Sequence, residues 1–318
     1  MKSFLLRLLR RIESVVLFAG GAWCVGAAIW VWEFPGWKLT AWCVCIALLW
    51  CAGMFCSRAR VVLWILEMSV TVSFLMLTPD RQFAANDWTP ECRKIAQVSY
   101  LPDGRIRIAN IRNFRYRKVD DYDEQYLTLT EDVNALESMD IAFSHWDGME
   151  FVAHMLVCFN FRDGKRVAVS FEPRVPAGKR GGDFFLGIYR RYGQMMLFGT
   201  PEDLFDLRSV YRGETFYCYR TNARGEVLKR IFLRVIERAA RLERKAEFYN
   251  SLTENCTTGL LDAISEEAVV RGWDIRKLFN GFYDKFLFEK GFLVCCPGES
   301  FGSLKARSYV PGTSRGRM

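Results

Sequence analysis

Three apolar runs fill the first quarter of the chain, roughly Val15 to Trp32, Leu39 to Cys56 and Val61 to Leu77. Each is close to the roughly 20 residues that an α-helix needs to cross a hydrocarbon core, so about three transmembrane helices are expected. After Pro79 the pattern changes to short runs of apolar and polar positions broken by turn residues, as in an α+β domain. The chain is therefore read as an anchor over residues 1–78 and a second domain over residues 79–318. From Pro79 to about Asp87 it reads as a polar linker.

Within the second domain, Val98 to Leu101 and Arg105 to Asn113 flank Pro102-Asp103-Gly104, a turn signal that predicts a hairpin. Tyr126 to Thr130 and Ile141 to His145 are further strand candidates. The strongest hairpin runs from Glu150 to Arg174, and its first strand is too apolar on both faces for a surface position. Its register has two solutions. If Asp163-Gly164 alone make the loop, Pro173 lies opposite His154. If Arg162-Asp163-Gly164 make it, with Gly164 left-handed, Glu172 lies opposite His154. The second is preferred because it gives a buried imidazole an acceptor. Later, Glu214 to Arg220 reads as a strand and Val227 to Tyr249 as an amphipathic helix with Ile231, Val235 and Ala239 on one face. Another helix should start near Asn255 and run past Ala268. Gly and Pro punctuate the tail from Pro297, and Thr313 to Met318 read as disordered.

Charge orients the apolar runs. Lys2, Arg7, Arg10 and Arg11 precede the first run and Arg58 and Arg60 separate the second from the third, whereas the first loop carries only Lys38 with Glu33. The positive-inside rule then makes the N-terminus cytoplasmic and puts the second domain on the far side, in the periplasm of a bacterial inner membrane. Several tryptophans near the run ends fit an aromatic belt. A cleavable signal peptide explains the first run less well, because two more apolar runs follow at once. Glu67, inside the third run, must be paired or face other helices. Of the net charge of +8, four units come from the seven Lys/Arg and three Asp/Glu before Pro79, so no nucleic-acid partner is required. A membrane lipid is the expected partner.

Five of the eleven cysteines, Cys24, Cys43, Cys45, Cys51 and Cys56, lie in the apolar runs. The others, Cys92, Cys158, Cys218, Cys256, Cys295 and Cys296, match no zinc spacing, so no metal or other cofactor is expected. An oxidising compartment allows one or two bridges among them, with no pairing assigned.

Cys256 draws attention because Asn255-Cys256-Thr257-Thr258 stands where capping residues give way to an apolar run. A helix N-terminus stabilises thiolate over thiol. The chain has two histidines, His145 and His154, to serve as its base. His154 lies mid-strand and His145 at a strand end; composition does not choose between them. Cys256 as a buried small residue and His154 as a satisfied core histidine are the plainer readings. In Arg112-Asn113-Phe114-Arg115-Tyr116-Arg117, the side chains of Asn113, Arg115 and Arg117 either bind an anionic group or form a charged strand edge.

Several of these pieces recur in order in a known family. Asn110 to Arg117, Ser144-His145-Trp146, Ala153-His154-Met155, Ser170-Phe171-Glu172-Pro173-Arg174, Tyr211-Arg212-Gly213-Glu214, and Tyr249-Asn250 before Asn255-Cys256-Thr257 resemble the bacterial Lnb-type N-terminal periplasmic domain, over about Asp87 to Leu261. The resemblance implies a papain-like, NlpC/P60-like Cys-His domain with an antiparallel sheet packed on helices. It implies Cys256 as nucleophile, His154 as base and Glu172 as third member, with Arg174, Tyr249, Asn250, Asn255 and Thr257 in support. This chain departs from the pattern at Met155 and Pro173. The implied activity is thiol acyl transfer or hydrolysis through a thioester, with a phospholipid acyl donor and a lipoprotein N-terminus as acceptor. A papain-like amidase or peptidase of the cell envelope and a non-catalytic envelope binding module are the alternatives.

Overall fold

The computed structural model describes residues 2–77, 87–146, 149–179, 181–264, 275–277 and 279–312. The expected linker, the continuation of the helix past Ala268 and the terminal residues from Thr313 lie wholly or almost wholly outside them. The described residues divide into two compact units, one of residues up to Asn86 with Gly182–Tyr192 and the other of the remainder.

The first unit holds α1 (Lys2–Trp30), α2 (Gly36–Phe55) and α3 (Ser57–Leu77). Spans of 23, 20 and 20 residues in them are long and apolar enough to cross a membrane. Pro35 before α2 and the extended Cys56 after it interrupt the helical backbone, which folds the runs into an antiparallel bundle. Cys24, Ala27, Ile46, Val70 and Phe74 make its core. Glu67 is 5 % exposed and lies against Gly20 and Gly21, so the ionisable residue does face another helix.

The second unit is built on a sheet, as an α+β fold. Its strands are β1 (Gln97–Tyr100), β2 (Ile106–Arg112), β3 (Arg115–Lys118), β4 (Asp121–Asp123), β5 (Tyr126–Glu131), β6 (Leu136–His145), β7 (Ala153–Phe161), β8 (Arg166–Arg174), β9 (Gly193–Gly199), β10 (Thr215–Arg220) and β11 (Tyr309–Val310). The main sheet runs β1-β2-β9-β8-β7-β6-β10-β11, with β5 also paired to β2, while β3 and β4 form a separate ribbon. Among the described residues the expected antiparallel sheet carries one parallel pair, Arg112 of β2 beside Gly199 of β9. Helix α4 (Phe184–Ile188) belongs to the first unit; α5 (Pro201–Asp206), α6 (Gly225–Arg244), α7 (Cys256–Ile264), α8 (Tyr283–Glu289) and α9 (Phe301–Arg307) belong to the second.

The hairpin β7–β8 is central, and every residue of β7 is buried, as its two apolar faces require. On one face Phe159 and Phe161 pack on Phe232 of α6. On the other, Leu204 of α5 closes over Gly199 and Phe205 packs on Phe216. The hairpin takes the three-residue loop. The Phe161 amide donates to the Lys165 carbonyl at 2.9 Å and Gly164 sits at φ 85°, a left-handed conformation that a side chain would strain. Asn160 therefore faces Arg166 and Leu156 faces Ser170, and the same offset carries His154 to Glu172.

Helix α6 ends at Arg244 rather than continuing to Tyr249. The chain after it pairs with the sheet: the Glu247 carbonyl accepts from the Gln194 amide at 2.8 Å, and Phe248 bridges to Gly193. The tail is more ordered than its Gly and Pro content implies, since it forms α9 and β11.

Candidate functional site

The β7–β8 ladder stops at Leu156 and Ser170, short of the ends of both strands. Helix α7 begins beside this opening, with Cys256 as its first residue. Asn255 caps the helix: its Oδ1 accepts from the Thr257 and Thr258 amides at 2.9 and 3.0 Å, and its own amide donates to Thr258 Oγ1 at 2.8 Å. Thr257 is fully buried and turns inward. The Cys256 sulfur is left at the edge of β7, 4.0 Å from the Ala153 carbonyl and hydrogen-bonded to the Met155 amide.

His154 meets this sulfur, and imidazole and thiol are hydrogen-bonded. Its Nε2 is 2.6 Å from Ser170 Oγ and 3.0 Å from Glu172 Oε1, and Ser170 Oγ donates to the same carboxylate oxygen at 2.8 Å. With Nε2 committed to Ser170 and Glu172, Nδ1 is the ring nitrogen left for Cys256. Glu172 is held from behind by Arg208, whose Nη2 lies 2.7 Å from Oε1 and whose Nη1 donates to the Leu204 carbonyl at 2.8 Å. Arg208 is 4 % exposed and stands on a π-helical turn, Leu207–Tyr211, that follows α5.

These contacts decide the protonation of the site. Burial by itself would push the Cys256 thiol up; the His154 imidazolium outweighs it and the thiol ends below its ordinary value. Burial would push His154 down, yet the Glu172 carboxylate and the Cys256 sulfur hold it up at about 9. Burial opposes ionisation of Glu172 as well, and His154 and Arg208 together keep its carboxyl far below the usual range. The favoured state is a thiolate–imidazolium pair backed by a carboxylate.

His145 is elsewhere. Ser144 is the cross-strand partner of His154 and His145 that of Ala153, so the two imidazoles leave opposite faces of the sheet. His145 packs edge-on to Tyr217 with ring centroids 5.7 Å apart, and among the described residues its Nε2 has no hydrogen-bond partner. Burial and Lys305 push its pKa down, which keeps it neutral.

The other sequence candidates have structural partners. Asn113 Oδ1 accepts from Thr200 Oγ1 at 3.0 Å, and exposed Arg117 is tied to Asp121 and Asp123 within the β3–β4 ribbon. Arg115 opposes Asp123 across that ribbon and is exposed. Arg174 stacks over Trp88 and donates to the Cys92 and Arg93 carbonyls, so the ion pair of Glu172 comes from Arg208 instead. Tyr249 stacks on Phe171, and Asn250 Oδ1 caps the Leu252 and Thr253 amides.

Three residues of the site escape a reading of the sequence. Ser170 precedes Glu172 by two, on the same face of β8, and its spacing is the signal that could have found it. Arg208 has none, because its place depends on the π turn. Asn280, 5 % exposed, accepts from the Ala153 amide at 2.8 Å, donates to Thr257 Oγ1 at 2.8 Å and brings Nδ2 to 3.7 Å from the Cys256 sulfur. It ties strand, helix and sulfur together from 24 residues along the chain. All eleven cysteines are free thiols.

The family model for the Lnb N-terminal periplasmic domain matches residues 122–284. This is just over half of the chain, and it includes His154, Ser170, Glu172, Arg208, Cys256 and Asn280. It starts beyond Asn113, Arg115 and Arg117 and ends beyond Leu261. No curated protein and no solved structure matches the chain.

Proposed function

Because the chain belongs to the Lnb N-terminal periplasmic domain family, we propose that it is a membrane-anchored thiol acyltransferase or hydrolase working through a Cys256 acyl-enzyme, with a phospholipid ester as acyl donor and the N-terminal amine of a lipoprotein as acceptor. The observation that carries the reading is the Cys256–His154–Glu172 arrangement, a nucleophile, a base within reach and a carboxylate that orients it. The helices of the first unit support a substrate in the bilayer, because an anchored enzyme meets its lipid at high local concentration. The N-terminus is cytoplasmic and the second domain periplasmic in this proposal.

In the first half-reaction the Cys256 thiolate adds to the ester carbonyl. The Cys256 N–H, in the first turn of α7 where amides lack an intrahelical acceptor, and the Asn280 amide near the sulfur would receive the developing oxyanion. Collapse breaks the ester C–O bond, the His154 imidazolium protonates the departing alkoxide, and a thioester remains on Cys256. In the second, the amine attacks the thioester carbonyl, neutral His154 takes the amine proton, and the C–S bond breaks to regenerate thiolate and imidazolium. With water in place of the amine the same steps give hydrolysis. Ser170 and Glu172 hold the imidazole by Nε2 throughout, and Arg208 keeps the carboxylate charged.

Mass spectrometry of lipoprotein N-termini in cells tests the reading. Cells carrying Cys256→Ala should accumulate lipoproteins with a free terminal amine, and cells carrying Cys256→Ser should retain little acylation. Unchanged acylation in Cys256→Ala removes the lipoprotein acceptor. If a thiol-reactive probe still labels the wild type at Cys256 alone, the amidase or peptidase reading takes its place; if it does not, the enzyme reading fails altogether.

A further inference from the structure

Between β8 and β9 the chain makes an excursion, Gly182–Tyr192, that joins the compact unit of α1, α2 and α3. Asp183 opens it by capping α4, its Oδ1 accepting from the Phe185 and Leu186 amides at 2.9 and 3.1 Å. After α4, Tyr189 enters the helix bundle. It is 5 % exposed, its hydroxyl donates to the Trp23 carbonyl at 3.1 Å, and its ring stacks on Trp23 with centroids 4.6 Å apart. Gly26 makes the notch, since a Cβ there would collide with the Tyr189 hydroxyl. Phe185 stacks on Trp30 at 4.5 Å, and Ile188 packs on the bundle core.

The depth of this contact follows from helix geometry. Gly26, beside which the Tyr189 hydroxyl lies, is four residues before Trp30, the last residue of the α1 span, so at 1.5 Å per residue the hydroxyl reaches about 6 Å below the end of the span. Non-spanning backbone is tolerated at such depth when it satisfies its own amides and is backed by protein. The cap on α4 and the seat of Tyr189 on the bundle meet both conditions. Phe184 and Phe185 are each 47 % exposed, and the charge that follows is basic: Arg191 reaches Glu33, beyond the α1 span, at 3.6 Å. Apolar residues followed by arginines at the end of a span are the order found where a segment crosses from acyl chains to headgroups.

We propose that Gly182–Tyr192 is a re-entrant membrane element that enters the leaflet at the Trp30 end of α1 and lays Phe184 and Phe185 against phospholipid acyl chains. The occupant is lipid because the segment continues the surface of a membrane-spanning bundle. The proposal is independent of the thiol chemistry.

The test uses the full chain in phosphatidylcholine nanodiscs containing a phospholipid with a diazirine at the acyl terminus, or one with the diazirine in the headgroup. After photolysis, labelled peptides are mapped by mass spectrometry. The acyl-chain probe should label the 182–192 peptide as it labels α1, α2 and α3. Replacing both phenylalanines, Phe184→Asp with Phe185→Asp, should reduce labelling of that peptide to the background of β6 and β7 while α1, α2 and α3 stay labelled. Labelling by the headgroup probe alone, labelling by neither, cross-links between 182–192 peptides of two chains, or acyl-chain labelling that persists in the double variant overturns the proposal.

Discussion

Cys256 and His154 titrate as a unit, and the sign of each shift fixes the shape of the pH profile. The thiol lies below its ordinary value, so the nucleophile forms as pH rises through that lowered value; the imidazolium persists until about 9 and is then lost. Reaction with a neutral alkylating agent such as iodoacetamide should therefore rise early, hold steady and change again near pH 9, whereas ester turnover should fall on that alkaline side because the leaving alkoxide loses its acid. His154 also contributes stability that is complete below its ordinary value and is lost as pH rises through about 9. Glu172→Gln removes the charge that sustains the imidazolium. We expect its alkaline limb to move to lower pH and turnover to drop by on the order of 100-fold or more. A limb that stays in place would show that Glu172 is not what holds the proton. The carboxylate opposite His154 is legible once the loop register is chosen, because pairing geometry follows from Gly164. The Arg208 partner is not, because no local pattern links it to β8.

At the scale of elements, the start of α7 is the device that presents the sulfur. Asn255 binds two amides of the first turn, so Asn255→Ala should cost about 1 kcal/mol, lower the melting temperature, and raise the thiol pKa by loosening the turn. Asn255→Asp, which retains an acceptor, should restore stability; equal melting of the alanine variant and the wild type would sink the idea. That helix start is legible because polar capping residues meet an apolar run at one residue. The end of α6 is not, since the helical pattern continues after Arg244 while the backbone turns to pair with β9. Strand β9 itself is hidden for a related reason: all seven of its residues are buried, so it lacks the alternation that distinguishes strand from helix. Its position decides where β8 lies, and so where Glu172 lies.

For the whole molecule, the three apolar helices and the family together describe a membrane protein with a periplasmic domain. The proposed orientation has a direct test. Alkaline phosphatase fused into the loop between α2 and α3 should be inactive, and fused after Val310 it should be active; the reverse pattern would invert the topology. The sequence by itself determined the anchor, the α+β character of the second domain, the β7–β8 hairpin and the helix that starts at Cys256. Each depends on hydrophobic period, turn residues or caps, all local properties of neighbouring residues. Only the tertiary structure decided which histidine meets the thiol, since pleat direction separates His145 from His154. It alone brought Ser170, Arg208 and Asn280 to the site and gave Gly182–Tyr192 to the helix bundle. Those placements depend on contacts between residues tens to more than a hundred positions apart, and the chain pattern carries no record of them until the sheet has formed.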